Sequence, residues 1–181
     1  MKTETDILID DLLERKPAAC QRFFAEYGPS VFRMVQRIVP DREDAEEVYQ
    51  DVFVKALQNI ETFDPKKATL STWLCRIACN ESLNFVRRRK PNLVYMDDSK
   101  LGSDSFEVPE DTPLDEETIA QLRKALSLLP PHEQAIISMF YYEERSLADI
   151  AYIMGSIPST VGSQLSRIRK KLYRIIKSLK Q

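Results

Sequence analysis

The chain has 181 residues, 43% of them hydrophobic and 30% charged, so it can build one medium or two small soluble domains with ordinary cores. Its net charge of −2 excludes a uniformly basic protein but hides a strong segregation. Residues 41–51 carry six acids and one Arg, 97–117 nine acids and one Lys, and 158–181 seven basic residues and no acid.

Four glycines in the whole chain, and apolar residues mostly at helical spacing, predict an all-α protein. Helical segments are expected at 5–15 and 17–38, with Pro17 opening the second and Gly28-Pro29 breaking or kinking it. Asp41 is placed to N-cap a long helix through Ile60, with Glu43 and Asp44 in the first turn where the helix dipole favours acid. On that helix Ala45, Tyr49, Val52, Phe53, Ala56 and Ile60 fall on one side, while Asp44, Glu47 and Asp51 form an acidic stripe on the other. Such a stripe is also what an ordinary solvated face looks like.

Residues 62–69 read as a loop containing Pro65, Lys66 and Lys67, followed by a helix from about Leu70 to Lys90. That helix buries Leu70, Leu74, Ile77, Ala78 and Phe85. Arg76, Asn80, Leu83 and Arg87 line a flank bordered by Trp73. Arg and Asn beside an aromatic suit an exposed strand of bases, although a tryptophan also serves as a core residue. The run Arg87, Arg88, Arg89 and Lys90 adds positive charge. Residues 91–114 are acidic, contain Pro91, Pro109 and Pro113, show no apolar period, and read as a flexible linker.

Further helices are expected at 116–128, 131–142, 146–154 and from about Pro158 to Leu179. The last two have the pattern of a helix-turn-helix. Leu147, Ile150, Ala151 and Met154 line one side of the first helix, Gly155 makes the turn, and Val161, Leu165 and Ile168 hold the second. Ser159, Thr160, Ser163, Gln164 and Arg167 then face outward, as residues that reach base edges and phosphates in a major groove. Arg169, Lys170, Lys171, Arg174 and Lys177 add sequence-independent attraction to phosphate.

Cys20, Cys75 and Cys79 make an odd count without disulfide-scaffold spacing, which fits a reducing cytoplasm. Cys75 and Cys79 have no histidine near them, the single one being His132, so neither a metal nor another cofactor is expected. No apolar run of signal-peptide or membrane-spanning length occurs. The sequence shows no glycine-rich phosphate loop and no nucleophile paired with a base, so an enzyme acting on a small-molecule substrate is not expected.

The stretch Asp44-Ala-Glu-Glu-Val-Tyr-Gln-Asp-Val-Phe-Val-Lys-Ala, then Thr72-Trp-Leu-Cys-Arg-Ile-Ala-Cys-Asn80 and Arg87-Arg-Arg, resembles the core-binding and promoter-melting domain of extracytoplasmic-function sigma factors. Leu129-Pro-Pro-His-Glu-Gln-Ala-Ile-Ile and the helix-turn-helix with Ser159-Thr-Val-Gly-Ser resemble that family's second DNA-binding domain. The resemblance implies two small helical domains, 1–90 and 115–181, joined by the acidic linker 91–114. It implies that Asp44, Glu47, Gln50 and Asp51 dock core RNA polymerase. It assigns the melted minus-ten element to Lys66, Lys67, Trp73, Arg76, Asn80, Arg87 and Arg88. The duplex minus-thirty-five element falls to Ser159, Thr160, Gly162, Ser163, Gln164, Arg167, Arg169, Lys170 and Lys171. An anti-sigma partner is implied as well, and an integral membrane protein is not. Gly162, Ser166 and Ile157 depart from the family's usual residues, which bears on the minus-thirty-five sequence preferred. The linker, 24 residues, spans at most about 80 Å, against about 70 Å for two turns of duplex. The rival reading is a stand-alone helix-turn-helix regulator that binds duplex sites without polymerase.

Overall fold

The computed structural model describes residues 3–89 and 116–179, and every regular element in them is helical. The linker assigned to 91–114 lies outside the described residues, as does Lys90.

The N-terminal module holds α1 (Glu4–Leu13), α2 (Pro17–Ile38), α3 (Arg42–Gln58), a 3-10 turn (Ile60–Thr62) and α4 (Leu70–Arg89). Thr3 starts α1 with a reciprocal cap, its hydroxyl accepting from the Asp6 amide while the Asp6 carboxylate accepts from the Thr3 amide. Asp41 caps α3 as the sequence predicts, accepting from the Asp44 amide at 3.0 Å.

Of the break or kink expected at Gly28 and Pro29, the break does not occur: α2 runs as one helix through both. Proline has no N–H, so the Ala25 carbonyl loses its helical donor, a cost of about 3 kcal/mol inside a helix. Both Ala25 and Pro29 are exposed, so water can reach that carbonyl. The opposite face is anchored by buried Phe23, Val31, Met34, Val35 and Ile38, packed on α3 and α4. Burial of several such side chains, each about 1.5–3 kcal/mol, outweighs the one lost bond. Gly28 has a packing role here: a Cβ on it would lie 2.7 Å from the Tyr49 hydroxyl of α3. The ring of Tyr49 in turn meets Phe32 and Phe53 edge-on, at 5.6 and 5.0 Å between centroids.

The C-terminal module holds α5 (Glu116–Ser127), α6 (Pro131–Tyr141), α7 (Leu147–Met154) and α8 (Pro158–Leu179). Ser146 caps α7 by accepting from the Asp149 amide at 3.1 Å. Gly155 ends it with φ +64°, the left-handed conformation that glycine adopts without a Cβ penalty. Ile150, Ala151 and Ile153 from α7 pack with Val161, Leu165, Ile168 and Ile175 from α8 over the buried 135–139 stretch of α6. Ile153 belongs to this core although the stripe read from the sequence omits it.

The two modules touch. Helix α4 packs against α6 and α7, and α2 against α6.

Candidate nucleic-acid and protein interfaces

Three surfaces emerge from these packings. On α3, burial of Ala45, Val48, Val52, Phe53 and Ala56 turns Glu47, Gln50 and Asp51 to solvent. Asp44, the fourth residue of this group, is half-buried and paired with Arg89 at the end of α4, 3.1 Å away. Val54 stands in the same row, seven residues after Glu47 and hence nearly in line with it, and is 53% exposed. Val54 is therefore an apolar side chain exposed among carboxylates and an amide. Its heptad spacing from Glu47 was visible in the sequence, but only the structure shows that none of the described residues covers it.

The second surface is the flank of α4 and the loop before it. Lys66 and Lys67 are exposed at the loop tip, where the Asp64 carboxylate accepts from the Lys66 amide and lies 3.6 Å from the Lys67 ammonium. Asn80, Arg87 and Arg88 are exposed, with Arg87 donating to Asn84 at 3.1 Å. Trp73 is not on this surface. It is 6% exposed, with the ring of Phe63 edge-on at 5.8 Å, so it props the loop and offers no stacking face. Arg76 is half-buried, its guanidinium 5.0 Å from the centre of the Tyr152 ring on α7.

The third surface is α8. Packing of Val161, Leu165 and Ile168 inward leaves Ser159, Thr160, Ser163 and Arg167 exposed, while Gly162 and Gln164 are half-buried. The Ser163 hydroxyl donates back to the Ser159 carbonyl at 3.0 Å. Gly162 has only a Leu147 methyl near its would-be Cβ, at 3.8 Å, so a larger residue would fit. Gln164 and Arg167 form one wall of a polar cleft of about 170 Å³ closed by His132 and Glu133. Lys170 is exposed, and exposed Arg169 donates to the Tyr141 hydroxyl at 2.6 Å.

Lys171 corrects the expectation of a phosphate contact. Only 3% exposed, its ammonium reaches the Glu133 carboxylate of α6 at 3.0 and 3.3 Å. Lysine is read as a surface charge by default, and nothing local in the sequence marks this one as the inward partner of an acid 38 residues away.

Cys75 and Cys79 are buried in α4, and burial pushes the Cys75 thiol up to about 12 and raises Cys79 as well. Both are therefore protonated and inert in this arrangement.

Comparison with known proteins falls on the same two modules. Residues 23–91 match the family described as Sigma-70 region 2, and residues 119–172 match Sigma-70, region 4. The chain is similar to the ECF RNA polymerase sigma factor SigW of Bacillus subtilis, 27% identical over 84% of this chain and 86% of that one. It is similar to the ECF sigma factor RpoE of Cereibacter sphaeroides, 27% identical over 87% and 88%. Among solved structures, CnrH in complex with the cytosolic domain of CnrY shares the fold with a TM-score of 0.67, covering 95% of this chain and 96% of that one at 20% identity. The sigma factor RpoE of Bartonella quintana, solved with the anti-sigma factor NepR, gives 0.61 over 87% and 96% at 23% identity. With both modules matched in order, and relatives alike along nearly their whole length, the chain belongs to the extracytoplasmic-function sigma factors, the initiation factors that direct RNA polymerase to its promoters.

Proposed function

We propose that this sigma factor divides its work among the three surfaces. The row Glu47, Gln50, Asp51 and Val54 docks core polymerase, with Val54 as the apolar anchor and the carboxylates steering the approach. Asp44 contributes indirectly, by fixing Arg89. Lys66, Lys67, Arg76, Asn80, Arg87 and Arg88 meet the opened minus-ten strand. Accepting a base flipped out of the duplex there converts the few kcal/mol spent on unstacking into selectivity. Ser159, Thr160, Ser163, Gln164 and Arg167 read the minus-thirty-five duplex, Arg169 and Lys170 supply phosphate attraction, and Gly162 leaves room for close approach. The domains behind this division are 1–90 and 115–181.

The protein acts as a non-enzymatic subunit in the cytoplasm. An anti-sigma partner holds it at rest, a reading supported by the solved relative RpoE of Bartonella quintana, which is bound to one.

The observation that carries the proposal is the exposure of two chemically different polar faces, acidic on α3 and hydroxyl- and Arg-bearing on α8, on separate modules. Transcription from a promoter library by core polymerase with this chain tests it. The expected result is a discrete set of start sites with two shared elements upstream, and replacing Arg167 with Ala relaxes the distal one. Start sites with no common distal element, or unaffected by Arg167→Ala, would remove the α8 assignment.

A further inference from the structure

We propose that α6, which lies outside the helix-turn-helix, straddles the recognition helix and brings one further phosphate-binding side chain to each DNA strand, His132 on one side and Tyr141 on the other. The inference rests on the assignment of α8 to the minus-thirty-five duplex.

The crossing of the two helices follows from contacts at both ends of α6. Near its start, Glu133 accepts from Lys171 at 3.0 and 3.3 Å. At its end, the Tyr141 hydroxyl accepts from Arg169 at 2.6 Å, and the Arg169 guanidinium lies 5.7 and 5.8 Å from the ring centres of Tyr141 and Phe140. At the helical rise, Glu133 and Tyr141 are about 12 Å apart along α6, but Arg169 and Lys171 only about 3 Å apart along α8. Helix α6 therefore runs across α8, not along it. Arg169 and Lys171 also stand about 160° apart around α8, at about 100° per residue. The two ends of α6 thus emerge on opposite flanks of the recognition helix.

Each flank is equipped for an anion. Beside Lys171, His132 joins Gln164 and Arg167 in the polar cleft of about 170 Å³. His132 and Arg167 are exposed, and neither has a hydrogen-bond or ion-pair partner among the described residues. Lys171 neutralises Glu133, which leaves the cleft with the charge of Arg167. An imidazole keeps an N–H to donate in either protonation state. On the opposite flank Tyr141 is 52% exposed. Its hydroxyl accepts from Arg169 and still has its own proton to donate. A hydroxyl donor held beside a guanidinium suits a phosphate oxygen, and the two rings fix where that guanidinium sits.

The spacing fits duplex DNA. A recognition helix in the major groove has a phosphate strand on each side, and the groove is about 12 Å wide. His132 and Tyr141 are about 14 Å apart along α6, so its ends reach the two rims while Ser159, Ser163 and Lys170 face the groove between them.

Neutral methylphosphonates, placed one at a time around the distal element of a selected promoter, test this against binding by core polymerase loaded with the full chain. With the wild-type chain, at least one position on each strand is expected to weaken binding roughly tenfold, the scale of a hydrogen bond to a charged group. His132→Ala should become indifferent to the position on one strand while the other strand's position keeps its effect. Tyr141→Phe, which keeps the ring, should do the reverse, because the lost hydroxyl both donates and orients Arg169. Each variant retains one strand's signal, so a fold defect cannot pass for the loss of one contact. Variants that repeat the wild-type pattern, lose both strands' signals together or lose the same strand's overturn the inference. A wild-type chain with no sensitive position around the distal element refutes the α8 assignment itself, and this inference with it.

Discussion

Replacing Lys171 with Met tests the inward placement of a residue that sequence alone assigns to DNA. The thioether keeps most of the lysine stem's volume, so packing is nearly conserved and the change isolates the charge. The carboxylate of Glu133, whose side chain is 14% exposed, then loses a partner 3.0 Å away inside the module. Breaking a buried ion pair from one side costs about 3–5 kcal/mol, and residual access of water to Glu133 argues for the lower end, about 3 kcal/mol. With a denaturant slope near 2 kcal/mol per molar for a chain of this size, the urea midpoint of the C-terminal module should drop by about 1.5 M. Lys170→Met, one residue away but exposed, should stay within about 0.5 kcal/mol of wild type. Adding Glu133→Gln to Lys171→Met should return most of the loss, because no uncompensated charge is left. The assay is urea unfolding of the full chain followed by far-UV circular dichroism. Equal, small shifts for Lys171→Met and Lys170→Met would refute the buried pair and restore Lys171 to the DNA-facing set.

Three other expectations follow from single features. Asp51→Lys reverses a charge in the exposed row of α3 and should weaken core-polymerase binding at least tenfold, about 1.4 kcal/mol, with both modules still folded; unchanged affinity in a pull-down or titration removes the docking role. Gly155→Ala forces a Cβ into a left-handed conformation with open space around it, so the cost is backbone strain alone, about 1–2 kcal/mol by urea unfolding. The buried Cys75 thiol stays protonated up to about pH 12, whereas an unfolded thiol ionises near pH 8.5. Between those values the unfolded chain holds fewer protons than the folded one, so stability falls as pH rises. The loss is at most about 1.4 kcal/mol per pH unit from this thiol, and Cys75→Ala should flatten the alkaline limb. A limb identical in the variant would show that Cys75 is not sealed from solvent.

What could be read from the sequence was whatever a few neighbouring residues decide. Asp41 caps because its own side chain reaches an amide three residues on, and Gly155 turns because nothing else enters that region freely. The helix-turn-helix and the acidic row were legible for the same reason, since period and spacing fix which residues share a face. Pro29 does not end α2 as local logic allowed, because packing of one face of α2 against two helices is a tertiary term that outweighs a missing hydrogen bond. Trp73 and Lys171 point inward because partners at Phe63 and Glu133 exist only after folding. The hydrogen bonds from Arg145 to Ser71 and Thr72 join residues more than 70 positions apart, and no pattern within either module announces them.

Permanganate footprinting of a selected promoter, run with the chain alone, core polymerase alone and the two together, tests the division of labour most directly. The account predicts reactive, unpaired thymines at the minus-ten element, with the minus-thirty-five duplex intact and protected, only when chain and core are combined. Protection of intact duplex sites by the chain alone, unchanged by core and without reactive thymines, would contradict it.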